Sequence, residues 1–302
     1  MPGPDVDEFA EPERIEAALA EDGAARRTLL AVQHPHRTPG ALAAGLNLGD
    51  ALPMARATLA VLLASAYRPI TDVVAPYIVD GPDGSAVGLL CMVGLDRLAD
   101  TEEVYPDVVA DRAGMLAGLG CATSAAMLVP VDGGDRLTSA VRGVISGPAA
   151  VSTVDSGGRR HRVWLAPPDE ELLDAAGTGH LLVADGNHRV AAAVAAGLDG
   201  LLALVTGGPD LRIGAFHRVL TGTGLDAGAL AAAWRRVGLV VRVAAAHTVP
   251  TRTGEVVARC RDGTLVVELP PGPVIDHAVV EELLLGKALG VDPEGPRVRP
   301  VP

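Results

Sequence analysis

Apolar residues along this chain fall into short blocks that switch between the helical and the strand period. A helical pattern over Arg14–Ala20 is followed by a run at Thr28–Gln33 that predicts a strand, and Met54–Ala66 predicts a helix. Ala86–Val93 is continuously apolar between the turn signal Asp80-Gly81-Pro82-Asp83-Gly84 and Gly94, as in a strand buried on both faces. A second apolar run, Ala125–Val129, ends in the turn cluster Val131-Asp132-Gly133-Gly134-Asp135. Beyond Asp155-Ser156-Gly157-Gly158 the pattern predicts a strand at His161–Leu165 and a helix at Asp169–Ala175.

Leu181–Ala184 predicts a strand and Asp185-Gly186 a tight turn. Val190, Ala193 and Val194 then form one apolar helix face that stops at Gly197. Strands follow at Leu201–Val205 and Leu211–Phe216, separated by the turn Gly207-Gly208-Pro209-Asp210. Next come a helix at Ala227–Val237 with Asp226 as N-cap, strands at Leu239–Val243, Glu255–Cys260 and Gly263–Leu269, and a closing helix at Ile275–Leu289. Pro293–Pro302 reads as a loose tail, and no internal repeat is visible. The whole reads as α+β.

Composition narrows the functions available. With 302 residues, 49% of them hydrophobic, the chain can bury a large core. Only 2% are aromatic, so Ala, Val and Leu must fill that core and no stacking platform for a nucleic-acid strand is available. A formal net charge of −12 also opposes a polyanionic backbone, so nucleic acid is not an expected partner. No apolar stretch approaches the ~20 residues of a membrane span, and Met1–Glu8 has no secretion-signal pattern, so a cytoplasmic location is expected. Cys91, Cys121 and Cys260 are odd in number and far apart, which reads as buried thiols of a reducing compartment rather than a disulfide frame. A homo-oligomer is compatible with the sequence.

The candidate chemistry centres on Asp185-Gly186-Asn187-His188-Arg189, at a helix start where backbone N–H groups and the helix dipole suit an anion. Gly186 lets an oxygen approach the main chain, Arg189 can supply a bidentate charge-assisted pair, and His188 a further donor. Asp185 has two readings. It caps the helix by accepting from Asn187 or His188, or, if phosphate takes those donors, its carboxylate needs a cation such as magnesium.

Val183-Ala184-Asp185-Gly186-Asn187-His188-Arg189 resembles the Ala-Asp-Gly-His-His-Arg signature of the bacterial family catalogued as domain of unknown function 1015. The resemblance continues in order through Pro4-Asp5-Val6, Leu29–Pro35, Tyr67-Arg68, Asp111-Arg112, His161-Arg162-Val163-Trp164, Phe216-His217-Arg218 and Asp276–Val291. That family is related to archaeal free-serine kinases and shares a ParB/sulfiredoxin-type core. The resemblance therefore implies a ParB/sulfiredoxin-like mixed core over 85–220, with additional α/β elements over 1–84 and 221–302.

It also implies a nucleotide-dependent kinase that uses ATP or ADP and magnesium to phosphorylate a small hydroxylated metabolite, free L-serine to O-phosphoserine being the family guess. In such kinases a His-Glu pair opens a helix, and the glutamate activates the substrate hydroxyl. Counting back from Asp111-Arg112, that pair falls on Thr101-Glu102: the histidine is gone and the carboxylate remains. Glu102 is then the base, Asp185 holds magnesium or orients substrate, and Gly186 to Arg189 bind the transferred or β-phosphate. The residue reading beside it makes Glu102 a first-turn charge next to an Asp100/Glu103 capping box. Asn187 stands where the signature has its first histidine, keeping a donor but losing a titrating group. The family continues well beyond the segment matching Leu289–Asp292, so substrate contacts from that region are expected to be absent or replaced.

The alternative is a non-catalytic nucleotide-binding or regulatory protein of the same fold. His217 and Arg218 could contact phosphate, although a His-Arg pair at a strand end is more often structural. His34-Pro35-His36-Arg37 places two imidazoles at strand spacing, but with no third ligand it reads as a surface loop, and Trp164 as core.

Overall fold

Thr28 decides how the chain begins. In the computed structural model, which describes residues 12–82, 84–99, 104, 106–155, 157–177, 179–208, 217–252, 254–270, 279–293, 295 and 297–301, the run expected as a strand is helical. The Thr28 hydroxyl donates to the Ala24 carbonyl at 2.8 Å and accepts from the Ala31 N–H at 3.3 Å, a side-chain cap at the start of a helix. The elements there are α1 (Pro12–Ala20), α2 (Ala24–Arg27), α3 (Leu29–Gln33), a 3₁₀ turn at Pro35–Arg37, α4 (Pro39–Ala44) and α5 (Leu52–Ser65). Leu30 and Ala31 pack with Ile15, Ala18 and Leu19, while Val32 packs with Ala55 and Leu62. A five-residue apolar stretch satisfies either period, and here burial on two sides of a helix wins over β propensity.

The chain divides into two compact units, Met1–Leu211 and Arg212–Pro302. After α5 the first unit continues with β1 (Ala75–Gly81), β2 (Gly84–Gly94), β3 (Leu98–Ala99), α6 (Pro106–Leu119), β4 (Ala126–Pro130) and α7 (Gly134–Val144). It ends with β5 (Val151–Val154), β6 (Arg160–Val163), α8 (Glu170–Gly177), β7 (Leu181–Asp185), α9 (Asn187–Ala195) and β8 (Gly200–Gly207). The strands form one eight-stranded sheet in the order β3-β7-β4-β8-β2-β1-β6-β5. It is mixed: β3 runs parallel to β7 and β4 parallel to β8, whereas β7 pairs antiparallel with β4 and β2 pairs antiparallel with both β8 and β1. With its helices this makes the α+β class expected from the sequence. Leu89, Leu128, Leu137, Val141, Leu181 and Val205 are fully buried in its core.

The second unit holds β9 (His217–Leu220), α10 (Ala227–Arg236), β10 (Val240–Ala244), β11 (Glu255–Arg259), β12 (Thr264–Glu268), a π-helical segment at Val280–Lys287 and β13 (Val298–Val301). As expected, Asp226 caps α10, accepting from the Ala229 N–H at 2.7 Å. Trp234 on α10 is buried and donates its indole N–H to the Leu284 carbonyl at 3.1 Å, tying that helix to the π-helical segment. The tail is not loose: β13 pairs antiparallel with β9, and buried Val298 packs with Leu285 and Val291. The strand expected at Leu211–Phe216 and the first residues of the helix expected at Ile275–Leu289 lie outside the described residues. No helix among the described residues is long and apolar enough to cross a membrane. Cys91 is buried, where desolvation raises its thiol pKa to about 11, and Cys260 is half-buried, but Cys121 is exposed rather than buried.

Gly88 sits where β2 meets β8, opposite Thr206, in the middle of the sheet. A Cβ there would lie 2.7 Å from the Val205 carbonyl oxygen and 2.9 Å from Leu204 Cδ1. The carbonyl belongs to a buried ladder and cannot move aside alone. Gly88→Ala is therefore expected to lower unfolding stability by about 1–3 kcal/mol, the usual cost of overpacking; a urea midpoint equal to wild type would show that the sheet gives way at this point.

Candidate functional site

The strand–turn–helix segment is shaped by a β-bulge. Along β4 and β7 the register steps from Leu128 opposite Val183 to Met127 opposite Asp185, so Ala184 is an extra residue on β7. Leu181 and Val183 are buried, and strict alternation would bury Asp185 with them. The inserted residue reverses that phase, and the Asp185 side chain is 60% exposed.

Gly186 follows at φ 97°, ψ 31°, a left-handed conformation that an L side chain resists. It is the N-cap of α9, so that position has no side chain with which to close the helix. The Asp185 Oδ2 accepts from Arg189 Nη2 at 2.8 Å. Asp185 is thus engaged in an ion pair with Arg189, four residues on in the chain. Arg189 also donates from Nη1 to the Ala125 carbonyl, just before β4, and its side chain is only 13% exposed. The guanidinium lies over Gly186, where an added Cβ would stand 3.2 Å from Arg189 Cζ and 3.3 Å from Ala126 Cβ.

Asn187 is buried and His188 half-buried in the first turn of α9. Asp185, Gly186, Asn187, His188 and Arg189 are therefore held together in one short stretch. His217 and Arg218 belong to the second unit, at the start of β9, where Arg218 Nη2 donates to Glu281 Oε1 at 2.8 Å. That pair is largely buried and ties β9 to the π-helical segment. Glu102 lies outside the described residues.

A family model described as "Protein of unknown function (DUF1015)" matches residues 81–283, more than half of the chain. The chain belongs to this family. No curated protein and no solved structure matches it. The DUF1015 match takes in the β7–α9 segment, Glu102 and the His217-Arg218 pair, and leaves the N-terminal helices outside.

Two structural features of this DUF1015 chain were not readable in its motif. Arg189 is a brace between β4 and β7 as well as a candidate anion contact, because its guanidinium already bridges Ala125 and Asp185. His36, expected on a surface loop, instead lies in the 3₁₀ turn, and its Nδ1 is buried with no hydrogen-bond partner. Trp164 is core as expected, its indole N–H donating to the Gly147 carbonyl. His161 and Arg162 of the same motif serve the sheet edge: His161 bridges the Tyr77 hydroxyl at 2.5 Å and Asp155 at 3.1 Å, and Arg162 pairs with Asp80. Burial, reinforced by Asp155, raises the Tyr77 pKa above its ordinary value.

Asp185 fits a magnesium ion as one exposed hard oxygen donor, in the way this ion is commonly held by one or two carboxylates with phosphate oxygens and water. Among the described residues no group of three or more His, Cys, Asp or Glu side chains could enclose a metal without such help.

Gly186→Ala is expected to destabilise the protein by about 1–3 kcal/mol, from the left-handed backbone and the displaced guanidinium together. Asp185→Asn, at an exposed pair, should shift stability by less than about 1 kcal/mol. Thermal melts of the two variants check this; an Asp185→Asn protein as unstable as Gly186→Ala would make the ion pair, not the turn, the main support.

Proposed function

We propose that this chain is a nucleotide-dependent phosphotransferase with a ParB/sulfiredoxin-like core, acting on the hydroxyl of a small metabolite, with free L-serine as the first acceptor to test. One observation carries the reading. The bulge at Ala184 and the left-handed Gly186 bring an exposed carboxylate and the start of a nine-residue helix together without a side-chain cap at Gly186. Such a helix start suits a phosphate, and the adjacent carboxylate suits the cation that accompanies it.

In this reading Gly186, Asn187 and His188 hold phosphate oxygens of ATP or ADP, Arg189 keeps the turn in place, and Asp185 holds magnesium. Bound magnesium supplies charge neutralisation across the phosphate oxygens. Glu102 takes the acceptor hydroxyl proton as the new O–P bond forms and the bond to the nucleotide leaving group breaks. His217 and Arg218 are not needed in this reading; Arg218 Nη2 is engaged by Glu281. A non-catalytic nucleotide-binding protein is the second reading, favoured by Thr101 in place of the kinase histidine.

The test is phosphoserine formation by the purified chain with ATP or ADP and magnesium, extended to related hydroxy amino acids. Glu102→Gln should leave nucleotide affinity nearly unaltered and lower turnover by about 10²–10⁴, the range for a lost general base. Nucleotide binding with no phosphorylated product from any acceptor would favour the binding protein instead.

A further inference from the structure

The first unit contains a cavity of about 900 Å³, bounded by the 3₁₀ turn, α6, α9 and the start of β8. A space of this size takes a ligand of drug-like dimensions.

Its walls are built for an apolar body. Ala192, Ala193 and Ala196 line the cavity from one face of α9 and its C-terminal end, the first two buried and Ala196 half-buried. Beside them α6 contributes Met115, Leu116 and Leu119, each half-buried. A ligand in the cavity would cover the apolar surface that these half-buried side chains still expose. Met115 and Met92 also line the cavity, and flexible thioethers adapt to an irregular guest.

The polar groups decide what kind of head such a guest carries. Arg37 and Arg189 both reach the lining, but Arg37 is paired with Glu16 at 2.8 Å and Arg189 with Asp185 at 2.8 Å. The other charged lining residues, Asp111 and Arg112, are of opposite sign and adjacent in sequence. The three arginines of the lining are matched by Asp111 and by the two carboxylates, Glu16 and Asp185, that pair with Arg37 and Arg189, so an ionised guest would have to compete with those pairs for a counter-charge. His36 also lines the cavity, and its buried Nδ1 has no hydrogen-bond partner. Burial first, and then Arg37, hold the His36 pKa below its ordinary value, with Asp111 and Glu16 opposing, so the ring is neutral near pH 7. A hydroxyl can both donate and accept, and so satisfies Nδ1 in either tautomer of a neutral ring.

We propose that this cavity is a binding site for an uncharged, mostly apolar alcohol whose hydroxyl bonds to His36 Nδ1. The inference does not depend on the phosphotransferase reading, because binding alone tests it and no nucleotide is needed.

The experiment is calorimetric titration of the full chain with 1-octanol and, separately, with octanoate. Saturable binding of 1-octanol is expected, with octanoate weaker by about tenfold or more, the scale of an uncompensated buried charge. Ala196→Leu narrows the cavity at the end of α9 and should weaken 1-octanol about tenfold. His36→Phe keeps the ring shape without Nδ1 and should weaken 1-octanol about fivefold to tenfold, the scale of one neutral hydrogen bond. If Ala196→Leu lowers the melting temperature of the unligated protein, His36→Phe alone carries the comparison. Absence of saturable 1-octanol binding, unchanged binding in His36→Phe, or octanoate binding more tightly than 1-octanol would each overturn the proposal.

Discussion

The Arg189 guanidinium holds the candidate site together. It reaches back over Gly186 to the Ala125 carbonyl and sideways to Asp185, so the end of β7, the first turn of α9 and the approach to β4 are locked by one side chain. A charge-assisted hydrogen bond to a part-buried carbonyl contributes roughly 1.5–3 kcal/mol, whereas the half of the clamp that involves exposed Asp185 contributes less. The geometry demands a glycine beneath the guanidinium, both for its φ of 97° and for the space. It equally demands the bulge, without which Asp185 would face the core with Val183. Bulge, glycine and arginine form one device, and loss of any one of them disturbs the other two.

The same helix joins this site to the cavity. With almost no aromatics, the chain builds its core from Val, Leu and Ala, and α9 is alanine-rich on the face that follows Arg189. Small residues allow close packing in the sheet core, where Ala193 and Ala203 are fully buried, while α6 and the end of α9 keep half-buried apolar side chains at the cavity. Arg189 borders both regions, so a ligand in the cavity and an anion at the helix start would act on the same side chain. The fold thus places a charged turn and a largely apolar chamber on successive turns of α9.

Much of this was legible in the chain, and the exceptions share a physical cause. Ala86–Val93 was readable as a strand because a continuous apolar run between strong turn signals has few other solutions, and β7–α9 because its period changes at a glycine. Asp226 announced α10 by its own capping chemistry. Thr28–Gln33 was misread because its helical state depends on the Thr28 cap and on burial against two partners, neither of which a short apolar run encodes. The tail pairs as β13 because β9 offers it a ladder, a long-range contact with no local signal. The bulge at Ala184, the double engagement of Arg189 and the orphaned Nδ1 of His36 likewise arise only when distant segments meet.

The most direct measurement is amide chemical-shift mapping of the isotope-labelled full chain during titration with ATP or ADP in the presence of magnesium. Saturable shifts are expected to concentrate at the backbone amides of Gly186, Asn187 and His188, where the left-handed turn opens α9. Saturable shifts elsewhere with these three unmoved, or no saturable shift at all, would contradict a phosphate site at this helix start.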